Sequence, residues 1–314
     1  MPPLPSTPLG RALARASTQH GLITSAQCRD VGLSRHTVHR LVAKGVVTCE
    51  APGVYRFTGV PRTWHGRALC AVLAAGPGAV ISHRSAAFLW GLEGFAAPGR
   101  VDITVPRHRR PTVRPAVVVH ESRDLGLADP RRRWNVPVTG PARTFLDVAS
   151  VADDELTVLR ALDEVRRLGH ASWADLWSSL FQHARKGRPG IALARAALHA
   201  RAGKRVPDTE FARLFLRMID AAGLPEPQSE VSVTVAGHRY RIDCAYPECL
   251  VAIELDGQGH EEPARAEADA RRDRHLESAG WNALRFTWRR FSCEPDSVLA
   301  DVRAALSARG LLAP

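Results

Sequence analysis

The last third of the sequence leaves the fewest choices of fold, because its apolar residues switch repeatedly between the spacings typical of helices and of strands. Between residues 207 and 314 the spacing predicts a helix, three strands, a helix, a strand and a final helix. The successive segments are PDTEFARLFLRMIDAAGL, EVSVTVAG, HRYRIDCAYP, CLVAIELDG, EEPARAEADARRDRHLESAG, WNALRFTW and residues 294–309. This αβββαβα order predicts a compact domain with a mixed sheet at its centre.

Three acidic residues lie on two of these predicted strands. In RIDCAY, Asp243 lies between the apolar residues Ile242 and Cys244, and in LVAIELDG, Glu254 and Asp256 alternate with apolar positions. Because side chains alternate between the two faces of a strand, we expect the three carboxylates to share the face opposite the core. Carboxylates that meet without cations raise one another's pKa, and Mg²⁺ (or Mn²⁺) relieves that repulsion. The pattern therefore predicts a metal site with Asp243 and Glu254 as ligands and Asp256 completing or orienting the shell.

The same segment carries a set of motif residues in a fixed order. They are Glu210 in the first helix, R-I-D ending at Asp243, I-E-L-D-G-x-x-H with Glu254, Asp256 and His260, Asp269-x-x-Arg272-Asp273, and Leu284-Arg285-Phe286. This set resembles the PD-(D/E)XK nuclease superfamily and, more closely, a group of domains related to very-short-patch-repair endonucleases. The resemblance implies a restriction-endonuclease-like fold and Mg²⁺-dependent hydrolysis of phosphodiester bonds.

One position departs from the superfamily pattern. The motif E-x-K carries a lysine that positions the attacking water, but Asp256 stands there, and residues 207–314 contain no lysine. We expect His260 to act as general base, because the ordinary pKa of histidine suits proton transfer near neutral pH. Arg272 or Arg285 would steady the phosphate through its guanidinium fork.

Several of these residues also have ordinary structural interpretations. Asp269, Arg272 and Asp273 have the spacing of ion pairs on a solvated helix. Glu210 could favour the N-terminal end of the helix dipole, and His260 could be a plain loop residue. Asp243 and Glu254 could be solvated acids at a sheet edge, although the shared face favours a site.

Near the other end of the chain, residues 9–57 have the pattern of a winged helix-turn-helix. Thr24 or Ser25 can cap a short second helix, Ser34 can cap a third, and VVTCEAPGVYRF predicts a two-stranded wing. The third helix places Val38, Leu41 and Val42 on its predicted buried side. Its other side carries Arg35, His36, His39 and Arg40, the surface that would enter the major groove of DNA. The alternative is a three-helix module that binds another protein.

The run from Gly21 to Phe57 is similar to the N-terminal winged helix of AbiEi-type antitoxins of type IV toxin–antitoxin systems. The matching residues are Gly32, Leu41, Gly45, Gly53, Val54 and Tyr55. This resemblance implies DNA binding by the first domain and a cognate toxin as a possible partner.

Charge separates the two ends of the chain. Residues 1–206 hold 30 lysine and arginine residues against 14 acidic ones, a balance of +16, and residues 207–314 hold 13 against 18, a balance of −5. The basic N-terminal part favours a polyanionic partner, which the acidic C-terminal part does not. The abundance of arginine also fits a bias in the base composition of the genome.

The expected organisation is α+β in three parts: a winged helix-turn-helix at 1–62, a middle α/β body with helical connector at 63–206, and the nuclease-like domain at 207–314. In the middle part His83 and Arg84 suggest chemistry, but a histidine beside a capping Ser82 is more often structural. Six scattered cysteines form no C-x-x-C pair for a structural metal. With no long apolar run and no signal-like N-terminus, we expect a cytoplasmic protein.

Two functions follow. The first is a Mg²⁺-dependent DNA endonuclease targeted by its winged helix. The second is an AbiEi-like antitoxin or repressor whose C-terminal domain has the nuclease fold but no catalytic activity. RNA as the substrate is a third possibility that the residues do not separate from DNA.

Overall fold

A computed structural model describes residues 7–113, 116–127, 129–185, 187–202, 208–256 and 263–312. The helices are α1 (Pro8–Ser17), α2 (Ser25–Asp30), α3 (Arg35–Ala43), α4 (Trp64–Ala75), α5 (His83–Leu89), α6 (Pro141–Val151), α7 (Glu155–Arg167), α8 (Trp173–His183), α9 (Ile191–Ala202), α10 (Asp208–Ala221), α11 (Pro263–Ser278), α12 (Trp288–Cys293) and α13 (Pro295–Ala308). The strands are β1 (Leu22–Thr24), β2 (Val47–Ala51), β3 (Val54–Phe57), β4 (Val80–Ile81), β5 (Val101–Pro106), β6 (Val117–Ser122), β7 (Arg131–Arg133), β8 (Val136–Val138), β9 (Gln228–Val235), β10 (His238–Tyr246), β11 (Val251–Asp256) and β12 (Asn282–Thr287). Helices and strands are both well represented, so the fold is α+β, as predicted.

The chain forms two compact units, and each unit is built from two separate segments of the sequence. Unit 1 comprises Met1–His170 with Gly187–Ile191, and unit 2 comprises Ala171–Lys186 with Ala192–Pro314. The boundary expected after residue 206 therefore differs from this division, because α8 and all but the first residue of α9 belong with the C-terminal unit. None of the described helices is long and apolar enough to cross a membrane.

Unit 1 begins with three helices and a small sheet of order β1-β3-β2. Thr24 caps α2 in a capping box with Gln27, and the Ser34 hydroxyl accepts from the Thr37 N–H at 3.1 Å at the start of α3. The β2–β3 hairpin is the predicted wing, whereas β1, which pairs with β3, was not predicted from its three residues.

The rest of unit 1 is built on a five-stranded sheet of order β6-β5-β4-β8-β7 with α4 to α7 around it. The expectation that Ser82 caps α5 is wrong. Ser82 stands at the N-cap position without a capping bond, since its hydroxyl contacts the side chains of Thr104 and His83 instead, at 2.7 and 2.8 Å.

Unit 2 has the predicted αβββαβα order from α10 to α13, with the short helix α12 inserted before the last helix. Its sheet has the order β12-β11-β10-β9, in which β11 is antiparallel to β10 and parallel to β12. Part of the core of this unit is aromatic. The ring of Trp177 in α8 contacts the ring of Trp288 edge-on, with 5.0 Å between the ring centres, and the ring centre of Phe211 in α10 lies 5.4 Å from that of Trp288. This contact explains why α8 belongs to the C-terminal unit.

Candidate functional site: a carboxylate pair between β10 and β11 and a basic face on α3

The α3 helix presents the basic surface predicted for DNA. Its buried side is anchored by Val38, which is 6% exposed and packs in the cluster with Ala12, Ile23 and Phe57. The four predicted contact residues, Arg35, His36, His39 and Arg40, are all exposed. Val42, expected on the buried side, is 37% exposed, so that expectation is wrong: the apolar stripe of α3 is narrower than its sequence indicates.

The strand alternation expected around Asp243 breaks at that residue. Ile242 and Ala245 lie in one buried cluster with Leu276, although an unbroken strand puts residues three apart on opposite faces. The β9–β10 pairing runs through Ile242 and Cys244 but leaves out Asp243, and Glu230, which lies opposite Asp243, has a φ of 55°. The register of β9 and β10 is the same on both sides of Asp243, so this gap in the pairing adds no extra residue to either strand.

Asp243 lies where the pairing between β10 and β11 ends. The paired residues of the two strands end at Cys244 and Ile253, and beyond them the Asp243 carboxylate accepts a hydrogen bond from the Leu255 N–H at 2.8 Å. Continuing the same register by one residue puts Asp243 opposite Glu254. The structure therefore brings together the two carboxylates predicted to bind metal.

Glu254 is a buried carboxylate in the middle of the sheet. It is 8% exposed, and one of its oxygens accepts a hydrogen bond from the Arg272 guanidinium of α11. Burial raises the pKa of Glu254 to about 7; Arg272 opposes this rise, and the negative charge of Asp243 adds to it. A carboxyl whose pKa lies near 7 is typical of functional sites, although buried ion pairs produce such shifts as well.

Arg272 is itself held by residues that sequence reasoning missed. It also donates to the Arg241 carbonyl oxygen, and its guanidinium carbon lies 5.9 Å from the centre of the Tyr240 ring. The Tyr240 hydroxyl in turn contacts Nδ1 of His275, one turn further along α11, at 2.6 Å. No motif marks Tyr240 or His275, because their roles arise only when α11 packs on β10.

The remaining predicted residues take different positions. Asp256 is the last residue of β11 and is half-buried. Arg285, which pairs in register with Glu254 on the neighbouring strand, forms an ion pair with Asp273 at 3.2 Å. His260 lies outside the described residues, as do the side chains of Glu210 in α10 and Asp269 in α11.

The donor chemistry of the pair fits Mg²⁺. This ion is usually held through one or two carboxylates and keeps several of its waters, so Asp243 and Glu254 suffice as protein ligands. Among the described residues no group of three or more His, Cys, Asp or Glu side chains is placed to hold one metal. The expected gathering of three carboxylates is therefore not seen there, because Asp256 lies two residues, roughly 6.7 Å, further along the strand than Glu254.

A second polar cluster lies in unit 1, around the residue that suggested chemistry in the sequence. His83 is 6% exposed and stacks on His120 at 3.6 Å, and the His120 Nε2 atom lies 3.0 Å from the Asp102 carboxylate. Burial, together with a smaller contribution from the neighbouring His120, lowers the pKa of His83 to about 3. Arg84 is a surface residue in an ion pair with Asp153.

Comparison with known families matches both ends of the chain. Residues 211–306 match the family model REase_MTES_1575, a restriction-endonuclease-like domain. Residues 11–58 match the model described as "Transcriptional regulator, AbiEi antitoxin". The chain thus joins an AbiEi-antitoxin-type N-terminal domain to a restriction-endonuclease-like C-terminal domain, as the two resemblances predicted.

Individual proteins match less of the chain. "Uncharacterized protein YcjD" of Escherichia coli (strain K12) is 36% identical over 70 residues, which are 22% of this chain and 58% of that protein. The chain therefore spans a little over half the length of this relative. Among solved structures, the RV2827C protein from Mycobacterium tuberculosis is similar with a TM-score of 0.42 and 15% identity, over 75% of this chain and 90% of that one.

Proposed function

We propose that this protein is a metal-dependent DNA endonuclease, directed to its substrate by the N-terminal winged helix. The observation that carries the proposal is the meeting of Asp243 with the buried Glu254 where β10 and β11 part, in a domain of restriction-endonuclease-like family. Two adjacent carboxylates with a shared excess of negative charge form a donor set for a hard divalent cation.

In this proposal each residue of the site has one task. Asp243 and Glu254 would hold Mg²⁺ (or Mn²⁺), which when bound supplies positive charge at the phosphodiester and lowers the pKa of a coordinated water. Arg272, whose guanidinium already reaches the Glu254 carboxylate, would donate to a phosphate oxygen of the substrate. His260 would accept the proton of the attacking water, and Asp256 would orient the surrounding shell.

DNA is the proposed substrate because of the surface carried by α3. Arg35, His36, His39 and Arg40 are exposed on a helix that is fixed at its start by the Ser34 cap and on its inner side by Val38. In a winged helix-turn-helix this helix lies in the major groove, while cationic side chains contact the phosphates.

The test is cleavage of supercoiled plasmid by the full chain in Mg²⁺ or Mn²⁺. We expect Asp243→Asn and Glu254→Gln to lower the cleavage rate by about 100-fold or more while DNA binding persists. Glu277→Gln is the matched control, because it makes the same carboxylate-to-amide change at an exposed position of α11. Wild-type protein that binds plasmid and oligonucleotides but leaves them intact in both metals would refute the endonuclease.

A second function, an AbiEi-like antitoxin or repressor with a silent nuclease fold, is favoured by the bond between Arg272 and Glu254. An arginine on this carboxylate neutralises the charge that a cation would otherwise attract. This function predicts no Mg²⁺ binding in calorimetry of the wild-type protein. A nucleotidyltransferase-type toxin gene next to the gene for this chain would favour this function, and a lone gene would not.

A further inference from the structure

Unit 1 contains a cavity that neither proposed function uses. Its volume is about 370 Å³, within the range of small-ligand sites, and it lies between the β2–β3 wing and the elements α4, β5 and β6. The walls are mostly small apolar side chains, among them Ala71, Ala74, Val101 and Val117. A ligand in this cavity therefore has an apolar body.

The polar part of the lining is strongly cationic. Arg56, Arg62 and Arg67 line the cavity, and Glu50 is the one carboxylate among its lining residues. Glu50 accepts from Arg56 at 3.1 Å and from Arg62 at 3.0 Å. Burial favours the neutral form of Glu50, but these two arginines outweigh it and lower the pKa of the carboxyl. With Glu50 ionised, the lining carries two more positive charges than negative ones.

One donor in this lining has no acceptor. Arg56 is 4% exposed, and among the described residues its second terminal nitrogen, Nη1, is buried without a hydrogen-bond partner. Leaving a donor of a buried charged group without an acceptor is unfavourable, so such atoms are rare unless a ligand or water accepts from them. Glu50 does not accept from this atom, because its contacts are with Nε and the other terminal nitrogen.

We infer that this cavity is a binding site for a small monocarboxylate with an apolar body, such as a medium-chain fatty acid. The carboxylate would accept from Arg56 Nη1, and the apolar chain would lie against Ala71, Ala74 and Val117. One carboxylate matches the one buried donor that lacks an acceptor, and its single negative charge is offset by the net positive charge of the lining.

Octanoate is the probe for this site, measured by isothermal titration calorimetry on the full chain. We expect one molecule bound per chain, with octanamide, which has the same length and no charge, binding at least about tenfold more weakly. The decisive variant is Ala74→Phe, which places a large apolar side chain in the cavity, leaves Arg56 in the sequence and should abolish binding. Arg84→Gln removes a surface arginine away from the cavity and is the matched control with unchanged affinity.

The other measurements also support or overturn the assignment of a carboxylate site. Arg56→Gln lowers octanoate affinity about tenfold or more if the carboxylate contacts this residue, and the unfolding midpoint of each variant shows whether it has folded. Equal binding of octanoate and octanamide, or octanoate binding that survives Ala74→Phe, overturns the assignment. Binding of octyl phosphate with no binding of octanoate also overturns it, as does the absence of binding by all three probes.

Discussion

Each of the two compact units contains a group of charged side chains with buried members, and the buried carboxylates of the two groups differ in their partners. In unit 1, Arg143 and Arg188 contact the carboxylates of Asp124 and Asp147, with nitrogen–oxygen distances of 2.7 to 3.6 Å. Each cation thus contacts both anions within hydrogen-bonding or ion-pair distance. In unit 2 the buried Glu254 carboxylate contacts the Arg272 guanidinium and lies near the negative charge of Asp243, while Asp273 and Arg285 form a pair that is part-exposed.

This difference separates a structural network from a candidate site. A buried charge is tolerated when it is paired and hydrogen-bonded, and in unit 1 both carboxylates have arginine partners, with Asp147 bonded through Oδ1. In unit 2 burial, with a smaller contribution from the charge of Asp243, raises the pKa of Glu254 to about 7 despite its contact with Arg272. A carboxyl with such a raised pKa is typical of functional sites, although buried ion pairs produce such shifts as well.

The largest expected effect comes from breaking the network in unit 1. Arg143→Met leaves the Asp147 carboxylate without its 2.7 Å partner at a position where both side chains are almost fully buried. We expect the free energy of unfolding to fall by about 3–5 kcal/mol, as measured by urea denaturation. Arg84→Met removes an exposed pair and should cost no more than about 1 kcal/mol, so equal losses in the two variants would contradict the comparison.

The next effect is a pH dependence that originates in unit 1. The pKa of His83 is about 3 in the folded protein against an ordinary value of 6.5, so folding favours its neutral form. This preference contributes to the free energy of unfolding above pH 6.5, and the contribution is lost as the pH falls from 6.5 towards 3. The loss between pH 6.5 and 5 is about 2 kcal/mol.

The variant His83→Asn tests this dependence. Asparagine tolerates the φ of 52° at this position, can still bond to Ser82 and has no titrating group in this range. We expect the difference in unfolding free energy between pH 7 and pH 5 to shrink by about 2 kcal/mol relative to wild type. An unchanged difference would mean that other groups set the acid sensitivity.

The third prediction concerns unit 2 and depends on the metal proposal. Magnesium at ten times its dissociation constant should stabilise the wild-type protein by about 1.4 kcal/mol, because only the folded state holds the two carboxylates together. Asp243→Asn should abolish this stabilisation, whereas Arg143→Met, although less stable, should retain it. Thermal unfolding with and without Mg²⁺ measures both.

The smallest effect is expected on the surface of α3. Arg40→Gln should weaken DNA binding a few-fold at low salt, and the slope of log affinity against log salt concentration should fall by about one unit. Arg84→Gln is the control for the removal of a surface arginine outside this helix. A full loss of binding at every salt concentration would point to misfolding of α3 instead.

Local chemistry made much of the fold predictable. Short-range signals in the sequence are the helix caps at Thr24 and Ser34 and the turn at Gly53. The structure has the helices α2 and α3 after the two caps and the β2–β3 hairpin at the turn. The αβββαβα order of the C-terminal domain was also readable, because long apolar runs with clear periods are the strongest sequence signal.

What the sequence missed depends on contacts between distant residues. The β1 strand exists because Leu22–Thr24 pairs with β3, and α8 belongs to unit 2 because Trp177 packs on Trp288. Asp243 lies beside Glu254, as the alternation along the two strands predicted. The positive φ of Glu230 and the gap in the β9–β10 pairing opposite Asp243 had no signal in the sequence.

The interleaving of the two units has a practical consequence for dissecting the molecule. The chain passes from unit 1 to unit 2 after His170, returns for Gly187–Ile191 and then crosses again. A fragment cut at residue 207 would retain every predicted catalytic residue yet lose Trp177, which is 1% exposed in the aromatic core. Such a fragment would expose Trp288 and Phe291 to water, so an inactive truncation would report on a damaged core and say nothing about the chemistry of the carboxylates.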